Sequence, residues 1–150
     1  MTPYALGSST VVKYSAIPCG GADTSGAHAD DANYLSAAMK SGLTHDACFD
    51  FMIQRRTPDM PVEDSTVTWS EDASPFVPVA RLTIPTQTFD SAEQVNHCEN
   101  LSFTPWHGTT NHRPLGSVNR TRKVVYEATS AARHRLNGAA RKEPVDLDPR

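Results

Sequence analysis

Apolar and polar side chains alternate in three stretches of the chain. From Thr10 to Ala16, Val12, Tyr14 and Ala16 fall on one side and Val11, Lys13 and Ser15 on the other, the period of a half-buried strand. Phe49, Phe51 and Ile53 alternate with Asp50, Met52 and Gln54 in the clearest run of this kind. Phe76, Pro78, Ala80, Leu82 and Ile84 share one face of a third run. Pro78 has no N–H to give to a ladder, so a sheet edge or a bulge is expected there. Val67 and Trp69 suggest a further short strand, set between a connection at 55–64 that holds Pro58 and Pro61 and a turn at 71–75.

Helical spacing appears elsewhere. After a loop rich in Gly, Ala, Ser and Asp from Cys19 to Ala29, Asp30 or Asp31 can cap a short helix through Met39 that Gly42 ends. Ser91 with Gln94 three residues later has capping-box spacing, and Asp90 and Glu93 stand near the positive end of a helix running to about Leu101. Pro105, Gly108 and Pro114 make 103–114 irregular, which leaves Trp106, His107 and His112 on a loop. From Ser117 to Leu136 no Pro or Gly intervenes, Val118, Val125, Ala128, Ala132 and Leu136 recur at helical spacing, and Asn137-Gly138 is a C-terminal stop. The tail 139–150 has no period and should fray. The expected fold is α+β, one domain over 1–138: about four antiparallel strands, then two helices.

Composition adds little until charge is resolved along the chain. With 38% hydrophobic and 21% charged residues the sequence reads as a soluble globular domain. No apolar run approaches the roughly 20 residues of a membrane span, and the start lacks the basic segment of a secretory signal. No membrane partner and a cytoplasmic location are therefore expected. Cys19, Cys48 and Cys98 are odd in number, far apart and without a C-x-x-C pair, so idle or buried thiols are expected rather than a disulfide framework. Residues 1–112 hold five Lys or Arg against thirteen Asp or Glu, whereas 113–142 hold eight basic residues and the single acid Glu127. That reversal implies an anionic partner, such as nucleic acid, lipid headgroups or the carboxylates of a cofactor. The basic stretch shares its helix with an apolar stripe and lacks interleaved aromatic residues, so nucleic acid is not expected.

His107 and His112, without a cysteine partner, match no common zinc pattern. Trp69, Phe76 and Trp106 read as core, and Cys98 beside Glu99 has no visible base to activate it. Arg122 and Tyr126 are four apart and Arg133 lies seven beyond Tyr126, so the three project from nearly one side of the last helix. A phenol with an ordinary pKa of about 10 ligates poorly until its anion is stabilised, and a guanidinium one turn away can stabilise it. A second arginine suits a carboxylate. Spacing alone leaves two readings open, a packing or surface arrangement and an iron site.

Arg122-Lys-Val-Val-Tyr126 resembles the R-x-x-x-Y motif on the proximal side of haem catalases, whose iron is held by a tyrosine. Ser74-Pro75-Phe76-Val77-Pro78-Val79-Ala80-Arg81-Leu82 is similar to the catalase strand with a Pro-Val and a following basic residue. Glu93-Gln94 and Glu99-Asn-Leu-Ser-Phe103-Thr-Pro105 resemble the helix and the E-x-x-x-F-x-P turn that lead into the proximal region. Arg133-His134-Arg135-Leu136 resembles the family's R-H-R-L run, two residues further from the tyrosine. His112-Arg113-Pro114-Leu115-Gly116-Ser117-Val118-Asn119-Arg120 is most similar to the small catalase-related haem proteins. The resemblance extends from about Phe49 to Asn137 and keeps its motifs in order.

The resemblance implies a part of an antiparallel catalase-type β-barrel followed by two helices, the last carrying the proximal tyrosine. It implies haem b as cofactor, with Tyr126 on the iron, Arg122 tuning the phenolate and Arg133 holding a propionate. The implied reaction is oxidoreductive decomposition of hydrogen peroxide or of an organic hydroperoxide. One departure limits it: no V-H-x-x-G segment surrounds a distal histidine, and neither His28 nor His45 has that context, so no catalytic residue is identifiable. The chain then corresponds to a carboxy-terminal portion whose Met1 falls inside the family barrel, an internal methionine read as the start. Self-association or a missing amino-terminal half is expected as partner. A truncated, non-catalytic fragment and an anion-binding module on the basic helix are the alternatives.

Overall fold

The computed structural model of the chain describes residues 1–20 and 32–141. Four strands, β1 (Pro3–Leu6), β2 (Thr10–Pro18), β3 (Ala47–Arg55) and β4 (Val77–Ile84), form one antiparallel sheet in chain order. The described sheet is not closed into a barrel, so β1 and β4 are its edges. Helix α1 (Tyr34–Gly42) lies between β2 and β3 in the chain, and α2 (Ala92–Glu99), a 3-10 turn at Thr110–His112 and α3 (Gly116–Asn137) follow the sheet.

The alternating runs became β2, β3 and β4, but the single face expected for Phe76 to Ile84 breaks at a bulge: Pro78 pairs with Met52 and Val77 with Ile53, so Val77 rather than Pro78 shares the face of Ala80, Leu82 and Ile84. Tyr14 pairs with Ile53 and Ala16 with Phe51, while Phe51 pairs with Ala80 and Phe49 with Leu82, which keeps these side chains on one face. Pro78 does sit on an edge strand, and the ladder shifts between Phe51 and Met52, leaving Val79 as the extra residue. Ser91 and Gln94 form the expected capping box, each side chain bonded to the other's backbone N–H. Gly138 ends α3 in the left-handed region at φ 62°. For α1, the expected caps Asp30 and Asp31 lie outside the described residues, as does His28, and Asn33 stands at the N-cap position.

Three local expectations are corrected. First, β1 was not foreseen, because four residues are too few to display a period. Its outer edge is hydrogen-bonded by the chain leading into α3: Ala5 N–H donates to the Arg113 carbonyl at 2.9 Å, Gly7 N–H to Asn111 at 2.9 Å and Leu115 N–H to Pro3 at 3.0 Å. Second, Val67 to Trp69 is not a strand. Trp69 is buried because the 56–76 connection folds over the sheet face that carries Lys13 and Gln54. The Gln54 amide donates to the carbonyls of Trp69, Ser70 and Ser74, and the Trp69 indole N–H donates to Pro61 at 3.0 Å. Lys13, on the face expected to be polar, is thereby 6% exposed, its ammonium 4.4 Å from the Trp69 ring centre.

Third, Cys19 and Cys48 are bonded as a disulfide. The strand pairing makes this possible: Pro18 faces Phe49, so the next residues out, 19 and 48, meet with Cα atoms 5.6 Å apart, within the usual range for a bridge. Cys98 is exposed and unpaired. Spacing in the sequence carries no sign of the bridge, because the partners are 29 residues apart and meet only through β2–β3 register.

Buried apolar side chains among the described residues are few: Ala5, Val12, Leu43, Ile53, Met60 and Trp69. Apart from Leu43 at the end of α1, they belong to β1, β2, the end of β3 and the 56–76 connection. β4 is left open: it is exposed from Val77 to Thr83, including Val79 and Leu82.

Candidate functional site

Helix α3 carries the residues of interest, and its amino-terminal end is fastened first. Leu115 precedes the helix in extended backbone, and Gly116 takes φ +83°, where a Cβ would stand 2.4 Å from the Val62 carbonyl oxygen. Ser117 Oγ donates to the Glu63 carbonyl at 2.7 Å, and Arg120 grips the Glu63 carboxylate with both terminal nitrogens, at 3.1 and 2.7 Å. That pairing holds the Glu63 carboxyl below its ordinary value, through the Arg120 hydrogen bond first. Asn119 is fully buried; its amide donates to the carbonyls of Pro3 and Leu115, each at 2.9 Å, and its Oδ1 accepts from Arg122 at 3.3 Å.

Arg122 is held by those anchors and aimed at Tyr126. One terminal nitrogen donates to Thr2 Oγ1 and Asn119 Oδ1, and the other donates to the Tyr126 hydroxyl at 3.2 Å. Its guanidinium carbon lies 5.1 Å from the Tyr126 ring centre. The hydrogen bond to Tyr126, with a lesser contribution from Tyr4, raises Arg122 above its ordinary value, so it is a permanent cation. Tyr126 is 37% exposed and lines an open recess of about 240 Å³ with Ser117, Val118, Thr121, Arg122 and Val125. Every lining residue belongs to α3, so the recess is one wall with an apolar floor and a phenol at its rim.

The same tyrosine borders a second, much smaller recess toward the 102–107 segment, with His107 and Ser130 among its lining. That segment is tied to α3 by a 2.6 Å bond between Ser102 and Ser130 hydroxyls and by the Trp106 indole N–H donating to the Asn119 carbonyl at 2.9 Å. Sequence reading did not put His107 in one recess with Tyr126, nor Tyr4 within electrostatic reach of Arg122, since neither arrangement leaves a local signature.

Arg133 lines neither recess. One of its terminal nitrogens donates to the Leu101 carbonyl, and its Nε is buried without a partner. Next to it His134 is 5% exposed and bonded to the Asn100 carbonyl at 2.8 Å. The R-H-R-L run thus fastens α3 to the end of α2. Much of the basic charge is engaged within the chain: Arg120 on Glu63, Arg122 on Tyr126, Lys123 5.1 Å from the Trp106 ring centre and Arg133 on a carbonyl.

Among the described residues no three His, Cys, Asp or Glu gather as metal ligands, and no helix is long and apolar enough to cross a membrane. No family model matches the chain, and no curated protein matches it.

Proposed function

We propose that α3 is the iron-ligating wall of a haem site, with the Tyr126 oxygen as axial donor and haem b as cofactor. The observation that carries this reading is the Arg122–Tyr126 hydrogen bond at 3.2 Å, made by a guanidinium that Thr2 and Asn119 hold in place. A phenol that is half exposed, beside a fixed cation and the apolar surface of Val118 and Val125, has the donor chemistry that a ferric porphyrin requires. When bound, haem would supply a redox-active iron for peroxide chemistry. Arg122 stabilises the phenolate, and Val118 and Val125 offer apolar contact. For Arg133 to take a propionate it must release the Leu101 carbonyl; its unpartnered Nε is the atom that gains most from a carboxylate.

The family reaction, decomposition of hydrogen peroxide or an organic hydroperoxide, needs an acid–base group opposite the tyrosine. Among the described residues the larger recess beside Tyr126 is lined by no His, Asp or Glu, so the proposed role is haem ligation, with catalysis dependent on a group outside that recess. The engagement of Arg120, Arg122, Lys123 and Arg133 inside the chain weighs against the anion-binding module as a rival. The exposed edge of β4 is proposed to pair with β4 of a second copy. The β1 edge is already bonded, and the one charge on β4, Arg81, is neutralised by Asp50 at 2.9 Å, which removes the repulsion that guards many edges.

Titration with haem tests the central reading. The expected result is a high-spin, tyrosinate-type visible spectrum that Tyr126→Phe abolishes and that Arg122→Met weakens. Haem that keeps its free absorbance in the wild-type protein overturns it. Oxygen release from peroxide then separates an active site from a binding site.

A further inference from the structure

A second cluster lies on the sheet face that carries Val12 and Ile53, apart from the Tyr126 recess. Tyr14 of β2 stacks against Phe51 of β3, ring centres 5.3 Å apart and planes 22° apart, and meets Tyr4 of β1 at 5.2 Å. Its hydroxyl is 3.2 Å from Nδ1 of His112, in the 3-10 turn whose flanks bond to β1. Burial first, and then the neighbouring Tyr4, push the Tyr14 phenol above its ordinary value, so at neutral pH it keeps its proton. A neutral phenol gives up an electron readily only when its proton leaves as well, because the radical cation is a strong acid. A base within about 2.6–3.2 Å can take that proton in the same event. His112 stands at that distance and is itself exposed, so the proton has a way out to water.

We propose that Tyr14 is a redox-active tyrosine, yielding one electron to a high-potential, outer-sphere one-electron acceptor while its proton passes to His112. The Tyr14 O–H bond breaks, an N–H bond forms at His112 Nδ1, the acceptor is reduced by one electron, and a neutral phenoxyl radical remains. His112 must be in the tautomer protonated at Nε2 beforehand, and afterwards returns a proton to solvent. Phe51 covers one side of the ring and slows radical coupling. Tyr4 meets Tyr14 and acts electrostatically on Arg122, which bonds Tyr126, so phenols are spaced from α3 to the sheet. An oxidising equivalent arising near α3 could travel this way, but the inference does not rest on haem.

The test uses the full chain without haem and photogenerated ruthenium(III) tris-bipyridyl as the acceptor, following phenoxyl absorbance and electron paramagnetic resonance. Wild-type protein is expected to form the radical with a solvent deuterium isotope effect, and Tyr14→Phe is expected to remove most of the yield. His112→Phe, at an exposed position, should slow formation by at least about tenfold. Circular dichroism and melting accompany each variant. A folded Tyr14→Phe protein with undiminished radical yield, or a His112→Phe protein with unchanged rate and isotope effect, overturns the proposal. Should Tyr14→Phe fail to fold, the His112→Phe rate decides alone.

Discussion

Asn119 and Pro3, 116 residues apart, are joined by a 2.9 Å hydrogen bond from the buried asparagine amide to the proline carbonyl. Through it the helix that carries Tyr126 is fixed to the first strand. Asn119 Oδ1 in turn accepts from Arg122, so the same side chain that docks the helix also orients the tyrosine's partner.

Replacing this residue should therefore uncouple α3 from the sheet. Asn119→Ala removes one of the two donors to the Pro3 carbonyl, which keeps the Leu115 N–H, and takes a fixed acceptor from Arg122, a loss of about 1 kcal/mol. The expected result is a lower urea midpoint at an unchanged slope. A midpoint equal to wild type would mean that α3 is not docked in this way.

Lys13 should give the protein a stability that rises in alkaline solution. Burial beneath Trp69 lowers its ammonium below the usual 10.5. In that window, between the lowered folded value and 10.5, the unfolded chain binds more protons than the folded one, so stability increases with pH. Lys13→Met is expected to be the more stable protein at neutral pH, with the gap to wild type closing as pH climbs. Denaturant midpoints from pH 7 to 10.5 check this; a gap that widens contradicts it.

The Cys19–Cys48 bridge closes a loop with a sequence separation of 29. By chain entropy alone such a loop contributes roughly 3–4 kcal/mol. Alkylation followed by mass measurement should find one reactive thiol, Cys98, before reduction and all three after it. Reduction should lower the melting temperature, and Cys98→Ser should leave that drop unchanged. Bridges of this kind persist in oxidising compartments, so the redox state found in cells also tests the cytoplasmic expectation.

Pairing of β4 between copies should depend on its apolar, nearly uncharged edge. Val79 is 52% exposed and unmatched in the β3 ladder, so Val79→Lys adds a charge at the edge with little cost to the folded chain. Sedimentation is expected to find a concentration-dependent dimer in wild type and a monomer in the variant. A wild-type monomer at all concentrations removes the proposal.

What the sequence determined by itself was local. Side-chain alternation located β2, β3 and β4, the Ser91–Gln94 pair gave the start of α2, Asn137-Gly138 the end of α3, and a spacing of four brought Arg122 to Tyr126. Each depends on residues two to four positions apart, whose geometry is set by the backbone period. Tertiary structure alone decided that β1 exists, that Trp69 covers Lys13, that Cys19 meets Cys48, that Arg133 bonds the Leu101 carbonyl and that the described sheet stays open. Apart from the short β1–β2 hairpin, those outcomes join residues 29 or more positions apart, or concern which surfaces find a cover, and they follow from strand register and from where a connection folds back. Neither leaves a periodic trace in the chain, because the energy that selects them comes from burial and hydrogen bonding between segments rather than within them.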